Sequence, residues 1–76
     1  MAMSASENHN RLAREFVQLV GTETHSGPEL MVVMESAMLG TMLLLVRLYG
    51  VKPTDASIYL EAALQRATER YSEGKA

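Results

Sequence analysis

The stretch from Pro28 to Tyr49, PELMVVMESAMLGTMLLLVRLY, constrains this chain more than any other, because it cannot be left in water on most of its sides. Wound as a helix at roughly 100° per residue, it gathers Glu29, Ser36, Gly40 and Arg47 into one narrow sector. Met31, Met34, Met38 and Met42 line the opposite side, continued by Leu45 and Tyr49. Val32, Leu39, Leu43 and Val46 fill one flank, and Leu30, Ala37, Leu44 and Leu48 the other. A helix that is apolar almost all round belongs inside a protein or a bilayer, since a surface helix carries a single apolar stripe. Thr41 fits the interior of such a helix by returning its hydroxyl to a carbonyl one turn back. Glu35 does not fit, because it falls among Met31, Met38, Leu39 and Met42, where an unpaired carboxylate is costly.

On either side the sequence supplies shorter amphipathic helices. Ser4 and Glu7 have the spacing of a capping box. Ala5, His9, Leu12, Phe16, Leu19 and Val20 then recur at helical spacing, with Glu7, Arg11 and Glu15 four apart on the outside. This predicts a helix over 6–20 that ends at Gly21, followed by a polar connector, GTETHSG. Ser26, Pro28 and Glu29 start the long helix over 28–49, and Gly50 closes it. Thr54 or Asp55 caps a third helix over 54–72, whose stripe is Ala56, Leu60, Ala63, Leu64, Ala67 and Tyr71. Residues 1–5 are expected to be a disordered N-terminus and 73–76 a frayed C-terminus. No strand-like alternation interrupts these patterns, so the expected fold is all-α: one domain over 6–72, three helices around a long, nearly all-round apolar central one.

Size turns this pattern into an expectation of assembly. A chain of 76 residues lies near the lower limit at which one core suffices, and it has no cysteine for a disulfide or a structural zinc site. A hydrophobic content of 47% with only 5% aromatic residues suits packed helices of Leu, Val, Ala and Met. Two flanking helices at normal interaxial distances shield about half the circumference of the central one. An oligomeric helical bundle, most simply a homodimer, would cover the rest. The interface candidates are Met31, Met34, Glu35, Met38, Met42, Leu45 and Tyr49.

Catalytic and metal chemistry find little support. Glu35 could be a desolvated acid or base, but one carboxylate without a second convergent group makes no active site. Its structural reading is an interface-edge carboxylate paired with Arg11, Arg14, Arg66 or Arg70 of a neighbouring helix or subunit. The methionine stripe could be a core or self-interface, an adaptable groove for a partner helix, or a site for a soft metal; no Cys or His joins it. His9 and His25 have no ligand at i+4, and neither His-Glu-x-x-His nor a phosphate-binding glycine loop occurs. The expectation is a non-enzyme with no cofactor and no metal.

LVRLYGVKPTDASIYL resembles the helix-turn-helix pattern over about twenty residues. The resemblance implies a second helix offering Thr54, Asp55, Ser57, Ile58 and Glu61 to a major groove. Two carboxylates without Lys or Arg would then face phosphate, and a net charge of -2 gives the chain no basic footprint. Membrane insertion of Leu30 to Val46 is opposed by Glu35 within the span and by two flanking helices that each need a soluble core. Ser36 and Gly40 have the small-xxx-small spacing that lets helices approach closely in lipid or in water. The opening residues have neither the basic nor the apolar region of a secretory signal, so a cytoplasmic location is expected. The expected function is that of a small helical protein–protein interaction module, an adaptor, chaperone-like or regulatory subunit that binds itself, with a helical protein as the other candidate partner. The alternatives are a helix-turn-helix-like nucleic-acid-binding regulator and an enzyme whose pocket forms only in the oligomer.

Overall fold

A computed structural model describes residues 4–74 and contains three helices: α1 (Ala5–Glu23), α2 (Gly27–Tyr49) and α3 (Pro53–Ser72). Among the described residues there is no strand, so the all-α fold class is correct. The expected disorder of the first residues and fraying of the last fall partly on 1–3 and 75–76, which lie outside the described residues. Contacts divide the chain into two units, Met1–Glu35 and Ser36–Ala76, each built around a helix end and the turn that follows it.

In the first unit, α1 starts on Ser4, whose hydroxyl oxygen accepts the Glu7 amide N–H at 3.2 Å and donates to Glu7 Oε1 at 3.1 Å. The cap occupies the expected pair of residues, although the Glu7 carboxylate engages the serine hydroxyl instead of the Ser4 amide predicted from a capping box. Arg11 binds both carboxylate oxygens of Glu15, at 3.0 and 3.1 Å, and its other terminal nitrogen donates to Asn8 Oδ1 at 2.7 Å.

The expected end of this helix at Gly21 is corrected by the structure, since α1 continues to Glu23. Glycine permits a helix end without requiring one. What ends α1 is Thr24, whose amide and hydroxyl both bond the Val20 carbonyl, at 3.0 and 2.7 Å, while its own backbone turns extended. Thr22 supports the added turn by donating to the Gln18 carbonyl at 2.8 Å. The connector thus shrinks to Thr24–Ser26, and Ser26 caps α2 through the Glu29 amide at 3.2 Å, as its spacing predicts.

The second unit holds the C-terminal part of α2, a three-residue turn and α3. Gly50 adopts φ +65 and the Val51 amide returns to the Leu45 carbonyl at 3.0 Å, which closes α2 where the sequence places its cap. The start of α3 corrects the expected Thr54 or Asp55 cap: Lys52 is the N-cap, with no side-chain bond, and Pro53 takes the first helical position. A fixed proline φ already suits that position, so the cap lies two positions before Thr54, the first residue a search for capping oxygens offers. Asp55 remains useful as a first-turn acid, favourably placed in the field of the helix N-terminus.

Two glycines separate conformational need from mere tolerance. Gly50→Ala places a side chain in the left-handed region and is expected to cost roughly 1–2 kcal/mol. Gly21 lies within α1, and an added Cβ there would meet nothing within 4 Å, so Gly21→Ala is expected to stabilise by about 0.4–1 kcal/mol. Thermal melts followed by circular dichroism should move in opposite directions for the two variants. A Gly50→Ala melt as high as the parent's would remove the cap argument.

Candidate functional site: the faces of α2

Burial is where the structure departs most from the amphipathic pattern. Among the described residues only Val20 and Ala56 are buried. Leu12, Phe16 and Leu19 on the α1 stripe stay exposed, as do Leu64 and Tyr71 on that of α3. The expectation that the flanking helices shield half of α2 is therefore too generous: no residue of α2 is buried. Periodicity identifies which side of each helix is apolar, but each stripe is longer than the surface available to cover it.

The methionine side of α2 is partly withdrawn from water. Met34, Met42 and Leu45 are half-buried, whereas Met31, Met38 and Tyr49 are exposed. Glu35 is exposed as well, so in the single chain its carboxylate faces no desolvation cost of the kind expected for it. Within the single chain Glu35 pairs with none of the arginines considered for it: among the described residues the ion pair is Arg11 with Glu15. That bond is local to one exposed face of α1, at i and i+4, and Arg11 is thereby engaged. The structure thus strings the seven sequence-derived candidates along one helix without converging them on a reaction centre.

The opposite sector is open. Glu29, Ser36 and Arg47 are exposed, and a Cβ placed on Gly40 would meet nothing within 4 Å. Glycine in a helix interior costs roughly 0.5–1 kcal/mol relative to alanine. Among the described residues no contact accounts for that cost at Gly40. The sequence pattern alone identifies this sector but gives no means of telling whether its glycine serves an internal contact.

A shallow, open depression on α1 is lined by Glu15, Gln18, Leu19 and Thr22, all from one exposed helical surface. Among the described residues, no three His, Cys, Asp or Glu side chains group closely enough to hold a metal ion. Thr54, Ile58 and Glu61, which the helix-turn-helix resemblance aims at a groove, are exposed at the start of α3, while Asp55 and Ser57 are half-buried. By length and composition α2 could cross a membrane, with a mean hydropathy of 1.8 in its most apolar window and none of that window buried. In comparisons with known proteins, no family matches the chain, and neither a curated protein nor a solved structure does.

Proposed function

We propose that this chain is a small cytoplasmic protein–protein interaction module that works as a homodimer or higher oligomer built along α2. The observation that carries the reading is an apolar helix of 23 residues of which none is buried. Val32, Leu43, Leu44 and Leu48 are 66%, 40%, 55% and 68% exposed. Burying such side chains completely is worth roughly 1.5–3 kcal/mol each, so covering them is worth several kcal/mol. That is comparable with the whole stability of a small domain, about 5–15 kcal/mol. The molecular role that suits a surface of this kind is contact with other helices, as an adaptor or regulatory subunit.

The exposure of α2 equally favours a second reading, burial in a bilayer. Glu35 weighs against it, since a carboxylate near the centre of a spanning helix costs roughly 2.5–3.5 kcal/mol even on insertion scales. The helix-turn-helix alternative loses support from the acidic leading end of α3, and the oligomer-enzyme alternative from the absence of convergent side chains on α2. Light scattering behind a sizing column, in detergent-free buffer, tests the proposal. The expected mass is about 17 kDa for a dimer, twice the 8.4 kDa of the chain, or a higher multiple. A monomer across all concentrations would overturn the reading, and a chain recovered only with detergent or floating with lipid vesicles would replace it by the membrane one.

A further inference from the structure

We infer that two copies pair through antiparallel α2 helices, along the sector of Glu29, Ser36, Gly40 and Arg47, with the two-fold axis at the level of position 38. The inference rests on the self-association proposed above and deepens it by naming the face and the orientation. Its basis is the symmetry of the residues on that sector. Glu29 and Arg47 lie nine positions either side of 38, and Ser36 and Gly40 two positions either side. The apolar neighbours obey the same symmetry: Val33 and Leu43 lie five positions out, Val32 and Leu44 six. An antiparallel pair crossing at 38 therefore sets Glu29 against the partner's Arg47, Val33 against the partner's Leu43, and Ser36 against the partner's Gly40.

Each of those juxtapositions has a physical consequence. At about 1.5 Å rise per residue the two charges stand roughly 27 Å apart on one helix, too far to meet within it. Across an antiparallel pair they become two equivalent ion pairs at the ends of the contact, as an isologous interface requires. A parallel pair would set Glu29 against Glu29 and Arg47 against Arg47, so charge selects the antiparallel orientation. At the centre, serine and glycine let the backbones approach to the lower end of the usual 8–10 Å interaxial range. This supplies the missing reason for Gly40, whose Cβ direction is empty within the chain.

Among the described residues neither Glu29 nor Arg47 has an ion-pair partner within the chain. Both are free to serve a second copy.

Charge exchange tests the orientation without altering the apolar surface. The dimer dissociation constant is measured by sedimentation equilibrium for the parent chain, Glu29→Arg, Arg47→Glu and the double exchange. Each single variant creates two like-charge contacts per dimer and is expected to raise Kd roughly 10-fold at low salt, less at high salt. The double exchange restores opposite charges and should recover the parent Kd to within about 3-fold, the usual uncertainty of pairwise effects. An equimolar mixture of the two single variants should form a heterodimer tighter than either alone. Gly40→Leu should raise Kd by at least about 100-fold by blocking the close approach of helices.

The competing explanation is that Glu29 and Arg47 merely suit the α2 dipole. It predicts the opposite result, because the double exchange then has both charges at unfavourable ends. A double exchange weaker than both singles overturns the inference. So does a dimer whose Kd is unmoved by all the variants, which would place self-association on another face and leave the interaction-module reading standing. A monomeric parent chain would instead remove that reading and this inference together. If Gly40→Leu fails to fold, the charge variants decide alone.

Discussion

Ala56→Leu is expected to destabilise the second unit by roughly 1–3 kcal/mol or more, the usual penalty for overpacking a filled site. Ala56 is the one described residue with no exposure at all. It sits four positions after the Lys52 N-cap, and its amide donates to the Lys52 carbonyl at 2.9 Å, making the first bond of α3. Val51, half-buried, immediately precedes the cap. These are the two positions between which a hydrophobic staple forms, fixing the direction in which a helix leaves its turn. Three added carbons at Ala56 have no space there, and either α3 shifts on its turn or the first hydrogen bond lengthens.

Each kcal/mol lost by a domain of this size lowers its melting midpoint by roughly 4–8 °C, so the loss is readily measured by circular dichroism. Ala67→Leu on the exposed part of the same helix serves as the control and should change stability by less than about 0.5 kcal/mol. Equal melts for the two leucine variants would mean that the staple does not hold the turn. Ala56→Gly should cost about 1 kcal/mol through helix propensity alone, which separates overpacking from loss of helix-forming tendency.

The difference between Ala56 and Leu64 also shows what can be read from sequence and what cannot. Both belong to the α3 stripe by spacing, yet Ala56 is wholly enclosed and Leu64 is 68% exposed. Spacing is a property of one helix, whereas coverage depends on what reaches it, so three helices and two of their serine caps are legible and burial is not. The end of α1 escapes the sequence for a related reason. Gly21 is a strong local signal, but the hydroxyls of Thr22 and Thr24 bond backward and carry the helix past it. At the start of α3 a search for a capping oxygen passes over Lys52, because Pro53 sets the entry by its fixed φ without needing that bond.

The candidate site is legible in its residues and not in its geometry. Four methionines on one side of α2 mark that side as the interface by sequence; in the structure Met34 and Met42 are half-buried, Met31 and Met38 are exposed, and the Glu29 to Arg47 sector is open as well. Glu35 reads as a buried carboxylate because its sequence neighbours are apolar. With Met31, Met38 and Leu39 themselves facing solvent, the carboxylate remains hydrated and its presence needs no internal arginine. The second copy proposed for the opposite sector would leave it so.

If α2 pairs with a second copy as proposed, unfolding of the chain is expected to depend strongly on its concentration, because a helix with no buried residue of its own then draws stability from that copy. For a dimer that unfolds directly to two chains, each thousand-fold dilution removes about 4.1 kcal/mol from the folded assembly. With an unfolding enthalpy of roughly 0.7 kcal/mol per residue summed over both chains, the midpoint should fall by about 14 °C over that range. A monomer folded on its own account shows no such shift. Melts recorded across three decades of concentration therefore measure how far folding and association are one process. A fixed midpoint alongside a dimeric mass would mean that the two units fold first and associate afterwards. A midpoint that falls by the full amount would mean that Val20 and Ala56 are only local anchors, and that most of what holds α2 in its helix is contributed by the second copy.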